Sequence, residues 1–198
     1  VNYLAHIYLS GPIAAHRVGG LLGDFVKGPL RGERPAAIEQ GIALHRQIDR
    51  WVDSQPQVAH FHRWLPPGWR RYAAIVADIY FDHLLARDWH HYHPESLDNF
   101  CNRFYAELQQ HYNYLPSAAQ RFATTAPQVG WLQGYRDIEQ LPAILHRVGQ
   151  RFKKPVPLAQ LTDPLSYNSA AIAEQFAVLL PQLVAFSTEQ RANLATAT

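Results

Sequence analysis

Four separated segments of this 198-residue chain carry acidic and imidazole side chains where such groups are costly to leave alone. The sharpest is Asp78-Ile79-Tyr80-Phe81-Asp82-His83. Between Tyr72 and Ala86 only Asp78 and Asp82 are charged. On a helix, a spacing of four puts both carboxylates on one face, which is unfavourable unless a positive charge stands between or above them. A divalent cation, or an arginine from another helix, resolves that conflict. His83 projects about 100° from Asp82, either at the border of the same site or packed apart from it.

The second segment is His45-Arg46-Gln47-Ile48-Asp49, followed by Asp53. His45 and Asp49 lie about 40° apart on one helix face. They could share a metal, or the carboxylate could orient the imidazole, or they could be a surface pair. Arg46 could bind a phosphate oxygen. The third segment is Gly19-Gly20-Leu21-Leu22-Gly23-Asp24-Phe25-Val26-Lys27-Gly28, where Asp24 is the only carboxylate before Arg31. A carboxylate in so apolar a setting needs a donor, a cation or a metal, unless it caps a helix. The spacing is not that of a phosphate-binding GxxxxGK[ST] loop. The fourth is His6, which means little by itself. Mixed His and Asp donors suit Mn²⁺, Mg²⁺ or Fe²⁺ better than a closed structural zinc.

The elements that position these residues read as helices. Pro35 opens a helical pattern over 35–54, with Ile38, Ile42, Ile48 and Trp51/Val52 on one face. Residues 67–92 show the clearest three-to-four-residue period, through Trp69, Tyr72, Ile75/Val76 and Ile79/Tyr80. Residues 95–112, 138–151 and 168–186 follow the same pattern, while 113–136 reads as short helices and loops. Gly11-Pro12, Gly19-Gly20, Gly28-Pro29 and Pro66-Pro67-Gly68 read as turns. No sustained alternation or hairpin signal supports a sheet. The expectation is an all-α, single-domain irregular helical bundle over 1–198.

Composition narrows the classes. A single cysteine, Cys101, excludes an internal disulfide framework. A formal charge of +2 is too small to argue for nucleic acid. The basic residues gather instead at segment ends: Lys27, Arg31 and Arg34, then Arg70 and Arg71, then Arg147, Arg151, Lys153 and Lys154. Such a rim could steer an acidic partner, or be ordinary solvated charge. The most apolar window, 170–185, is broken by Glu174, Gln175, Pro181 and Gln182, which argues against a membrane span. With no signal-peptide pattern, the expectation is a cytoplasmic protein with no membrane or nucleic-acid partner.

Taken in order, Asn2-x-Leu4-Ala5-His6, Gly20-Leu21-Leu22-Gly23-Asp24-Phe25-Val26-Lys27-Gly28, Gly41-Ile42-x-x-His45-Arg46-x-Ile48-Asp49 and Asp78-x-x-x-Asp82-His83 resemble the acyl carrier protein phosphodiesterases. Trp131-Leu132-x-x-Tyr135-Arg136-Asp137 resembles a later segment of that family. The resemblance implies hydrolysis of the phosphodiester joining 4′-phosphopantetheine to a serine of acyl carrier protein. It also implies a divalent metal, Mn²⁺ foremost, and kinship with the all-helical HD-type phosphohydrolases. Asp24 corresponds to the family's essential aspartate. His6, Asp24, His45, Asp49, Asp78, Asp82 and His83 become the candidate ligand set, with Asp24, His45 and Arg46 as catalytic candidates. Asp82-His83 reverses the order that names the wider superfamily. Gly23 stands where many members carry alanine, a change expected to matter little. Competing readings are a phosphohydrolase acting on nucleotides or another phosphodiester, and a non-catalytic helical module that binds an acidic partner.

Overall fold

The apolar stripes read from the sequence pack helix against helix. The computed structural model describes residues 1–196, and among these there is no strand. The α-helices are α1 (Tyr3–Leu9), α2 (Ala14–Leu22), α3 (Ala36–Asp53), α4 (Pro56–Ala59), α5 (Ala73–Arg87), α6 (Leu97–Gln110), α7 (Ser117–Thr125), α8 (Leu141–Gly149), α9 (Thr162–Tyr167) and α10 (Ser169–Thr196), joined by short 3₁₀ turns. Helix α1 lies at the centre, with Leu4, Ala5, Ile7 and Leu9 essentially inaccessible. It touches α2, α5 and α10. The core is one continuous cluster reaching from Tyr3 to Leu183.

A seven-residue helix is too short to hold itself in water, and the Asn2 side chain makes no cap to α1. Its N-terminus is capped from across the fold instead. The Asp82 carboxylate, on α5, accepts from the Leu4 amide at 2.8 Å, Asn2 at 3.1 Å and Ala5 at 3.2 Å. Three of the amides that a helix start leaves orphaned are thus paired with a negative charge at the positive end of the dipole. Burial pushes this carboxyl up to about 7, against the pull of the Val1 ammonium and the three amides.

Helices α2 and α3 pack most extensively, backbone against backbone. A Cβ on Gly19 would lie 2.2 Å from the Ile38 carbonyl oxygen, and one on Gly41 would lie 2.4 Å from that of His16. This corrects the reading of Gly19-Gly20 as a turn: both sit inside α2, and Gly19 is there because the neighbouring backbone leaves no room for a side chain. The other differences are of extent. The 67–92 pattern begins as a 3₁₀ turn over Pro67–Tyr72 and breaks at Asp88, after which Trp89 turns into the core and its indole donates to the Glu95 carbonyl at 2.8 Å. The 95–112 helix starts at a Ser96 cap that accepts from the Asn99 amide.

The last helix runs ten residues past the sequence expectation, through Pro181. Its stretch Ser169–Leu194 has a window of mean hydropathy 1.4 and is long and apolar enough to cross a membrane by length and composition. The sequence expectation of no such stretch is therefore corrected. In this fold its Ile172, Phe176, Leu179, Leu180 and Leu183 form a stripe buried in the bundle, packed on α1, α3, α4 and α5.

Two stability outcomes follow. Gly41→Ala is expected to cost about 3 kcal/mol through backbone overpacking, lowering the melting temperature by roughly 6–12 °C; an unchanged melting curve would refute the close contact. Asp82→Leu strands buried amides and is expected to cost about 3 kcal/mol. The folded Asp82 carboxyl titrates above its ordinary 3.8, so its contribution is full at acid pH and fades as pH rises through 7. Denaturant titrations should therefore show a larger wild-type advantage over Asp82→Leu at pH 4 than at pH 8.

Candidate active site

The first turn of α1 and the middle of α3 bring two imidazoles and a carboxylate together. The His6 and His45 rings stack with centroids 3.7 Å apart. Asp49 reaches both, its Oδ1 lying 3.0 Å from His6 Nε2 and its Oδ2 3.1 Å from His45 Nε2. The close approach of α2 to α3 makes this possible, because His45 Nδ1 donates to the Gly20 carbonyl at 2.7 Å. A Cβ on Gly23 would lie 2.1 Å from His45 Cγ. The glycine at 23, expected to be inconsequential, is what leaves room for this ring.

That arrangement fixes the protons. A carbonyl only accepts, so His45 carries a proton on Nδ1. A neutral His45 then turns its Nε2 lone pair on the Asp49 carboxylate at 3.1 Å, which is repulsive. Either a second proton or a metal cation must lie between them. Burial works against a charged His45, but Asp49 outweighs it and raises the imidazole's pKa. His6 behaves oppositely: burial and the neighbouring His45 lower it to about 3, so it stays neutral. Its Nδ1 is buried without a partner. Burial would raise Asp49, yet the bonds from His45 and His6 hold its carboxyl well below the usual range.

One ligand atom from each of His6, His45 and Asp49 falls within 4.8 Å of the others. The 3.0 and 3.1 Å separations match the edge of a coordination shell with bonds of about 2.1 Å. Two imidazoles and a carboxylate suit a divalent first-row metal. The donor set fits such an ion.

His6 and Asp49 open onto a cleft of about 290 Å³ whose walls also carry Asp24, Asp53, Asp78 and Arg151. His45 stands behind Asp49 rather than on the wall. Asp78 lies on the cleft wall beside Ile75 and Ile79, and burial raises its pKa. The remaining sequence candidates are engaged elsewhere. Both oxygens of Asp82 are committed to the α1 amides. His83 Nδ1 donates to the Tyr135 carbonyl at 2.8 Å. Helical spacing brought Asp78 and Asp82 to one face, but what Asp82 meets there is the start of α1, not a metal or an arginine. Arg46 Nη2 donates to the Val26 carbonyl at 2.9 Å and is not on the cleft wall.

Arg151 is the cleft residue that motif reasoning passed over, having counted it only with the basic rim. It is exposed, and its Nη1 donates to the Tyr3 hydroxyl at 3.3 Å. No metal-like spacing surrounds it; only its place after α8 brings it to the cleft.

An all-α fold with an imidazole-and-carboxylate cleft defines a class compatible with metal-assisted hydrolysis. The comparisons with known proteins narrow it. The sequence profile of the family described as "Acyl carrier protein phosphodiesterase" matches residues 1–183. A protein named acyl carrier protein phosphodiesterase from Klebsiella pneumoniae is 31% identical over 188 residues, covering 93% of this chain and 96% of the relative. Relatives of the same name from Serratia proteamaculans and Yersinia pestis are 30% and 27% identical over 185 residues, with the same coverage. The chain belongs to the acyl carrier protein phosphodiesterase family. No solved structure matches it.

Calorimetric titration of Mn²⁺ into the metal-free protein checks the donor set. Asp49→Ala is expected to weaken binding by roughly tenfold or more, whereas His83→Gln should leave it within about twofold. The reverse pattern would exclude this triad.

Proposed function

We propose that this chain hydrolyses the phosphodiester between 4′-phosphopantetheine and a serine of acyl carrier protein, releasing the apo carrier protein. The observation that carries the reading is the meeting of His6, His45 and Asp49 beside a cleft walled by Asp24 and Asp78, in a chain whose family is named for that activity.

His6, His45 and Asp49 would hold a divalent cation, Mn²⁺ foremost, with Mg²⁺ or Fe²⁺ as alternatives. Such an ion, when bound, polarises phosphoryl oxygens and lowers the pKa of water. The chain's own residues supply the rest. Asp24, exposed on the wall, accepts a proton from the attacking water. Asp78 adds negative potential that favours a cation. Arg151 meets the phosphodiester's charge, with the Tyr3 hydroxyl orienting its guanidinium. Arg46, turned towards the Val26 carbonyl, braces the loop after α2 instead. The all-α class and the His–Asp donors are in keeping with kinship to HD-type phosphohydrolases.

Exposed cations flank the cleft. Lys27 and Arg31 follow Asp24 in the chain, and Arg71 and Lys154 line a groove next to Arg151. Carrier proteins are acidic, so these margins would dock the substrate in the cytoplasm, and association should weaken with salt.

Mass spectrometry of holo carrier protein incubated with the chain and Mn²⁺ tests the reading, with free nucleotides as comparison substrates. Loss of the phosphopantetheine mass is expected, and Asp24→Asn should abolish it while keeping the wild-type melting curve. An intact holo carrier, or full turnover by Asp24→Asn, would overturn the proposal. Chelation of the metal should stop turnover, and Mn²⁺ should restore it. Arg151→Ala is expected to raise KM for holo carrier protein by roughly tenfold, the loss of one charge-assisted contact. Arg46→Ala should change it by less than about threefold.

A further inference from the structure

A second cavity lies along α1, away from the acidic cleft. Where His6 faces Asp49, Tyr8 and Leu9 face a cavity of about 540 Å³ formed where α1, α2, α6 and α10 meet the turn after α5. Its size is that of a small-molecule site. Its walls have two characters. Tyr8, Tyr92, His93 and Phe100 give it an aromatic side, with His93 stacked on Trp89 and set edge-on to Phe100. Arg17, Arg103 and Arg191 give it a guanidinium side.

The charges there do not cancel. Glu107 takes Arg17 through two bonds and Arg103 through one at 3.4 Å, and Glu95 takes Arg103. Among the described residues, Arg191 pairs with neither. It donates to the Leu9 carbonyl, the Ser187 hydroxyl and the Thr188 hydroxyl. Burial lowers its pKa, the mark of a cation short of counter-charge. Arg17 Nη1 likewise donates to the Gly11 carbonyl at 2.6 Å. The two arginines thereby neutralise the negative end of α1, so an anion entering the cavity meets guanidinium groups rather than bare carbonyls. His93 Nδ1 accepts from the Glu95 amide at 3.1 Å, which places the ring's proton on Nε2 as a further donor.

We propose that this cavity is a second ligand site, for a small organic phosphate carrying a planar ring, of the nucleoside monophosphate class. The ring would lie against the half-buried Tyr8 and Tyr92, and the phosphate would sit against Arg191, with Arg103, already held by Glu95 and Glu107, at its edge. The site is independent of the phosphodiesterase reading, since none of its residues lines the acidic cleft.

Equilibrium dialysis of the full chain with adenosine 5′-monophosphate, inorganic phosphate and adenosine tests it at low salt. Adenosine monophosphate is expected to bind with a Kd below about 1 mM, and each half-ligand at least roughly tenfold more weakly. Arg103→Gln and Tyr92→Ala, both away from the deep core, should each weaken binding by roughly fivefold or more while keeping the wild-type melting curve. Asp49→Ala should leave it unchanged. No binding at about 10 mM, equal binding of inorganic phosphate alone, indifference to both cavity variants, or loss in Asp49→Ala would each overturn the assignment.

Discussion

The structure depends on one buried carboxylate. Asp82 places a carboxyl group in the middle of an apolar bundle, where burial holds its pKa up at about 7, and the three amides at the start of α1 are what make its burial tolerable. The dependence runs both ways, because α1 has seven residues and no cap from its own Asn2. Remove the carboxylate and the helix start loses its partners; move the helix and the carboxylate is stranded. The interaction links residues some eighty positions apart, so it sets the tertiary position of α1 and not merely its local conformation. His6 is the next residue after Ala5, and its place against His45 follows from that anchor.

The second half of the site is set by the absence of side chains. Gly19 and Gly41 let α2 and α3 approach until a Cβ on either would overlap the other's backbone. At that separation the Gly20 carbonyl comes within 2.7 Å of His45 Nδ1 and fixes its tautomer. With Nδ1 occupied, only Nε2 is left to face Asp49, and a second proton or a metal cation must lie between them. A hydrogen bond that looks merely structural therefore determines the chemistry at the opposite edge of the same ring.

Much of this was legible in the sequence, and the rest was not, for identifiable reasons. Helices over 35–54 and 95–112 were readable because each buries a single stripe at helical spacing. The pairing of His45 with Asp49 was readable for the same reason, since both lie on one helix. Asp78 and Asp82 share a face as their spacing required, but Asp82 is met by helix-start amides rather than by the metal or arginine that the spacing suggested. That partner was invisible, because a helix N-terminus supplied from another part of the chain leaves no motif. Gly19-Gly20 misled because glycine permits a turn and permits close helix packing equally, and only the partner backbone decides between them. Arg46 sat in the right motif but turns to Val26, while Arg151 sat in none and reaches the cleft. Long side chains, on helices and loops alike, take direction from tertiary contacts that local pattern does not encode.

The dimensions and charges of the cleft bear on where selectivity would reside under the proposed function. A space of about 290 Å³ admits a phosphodiester and a short stretch on either side of it, not the body of a folded carrier. Its walls, dominated by Asp24, Asp49, Asp53 and Asp78, repel a phosphate unless a cation intervenes, so the cleft by itself would not attract its substrate. Attraction must come from the exposed lysines and arginines on either margin, and Arg151 is the point where that positive surface enters the acidic walls. An acidic carrier held on those margins would present its seryl linkage to the cleft mouth, where Arg151 and a bound metal ion would together offset the repulsion from the carboxylates. Recognition and hydrolysis would then be separable: charge outside the cleft would choose the protein, and the donors inside it would choose the bond.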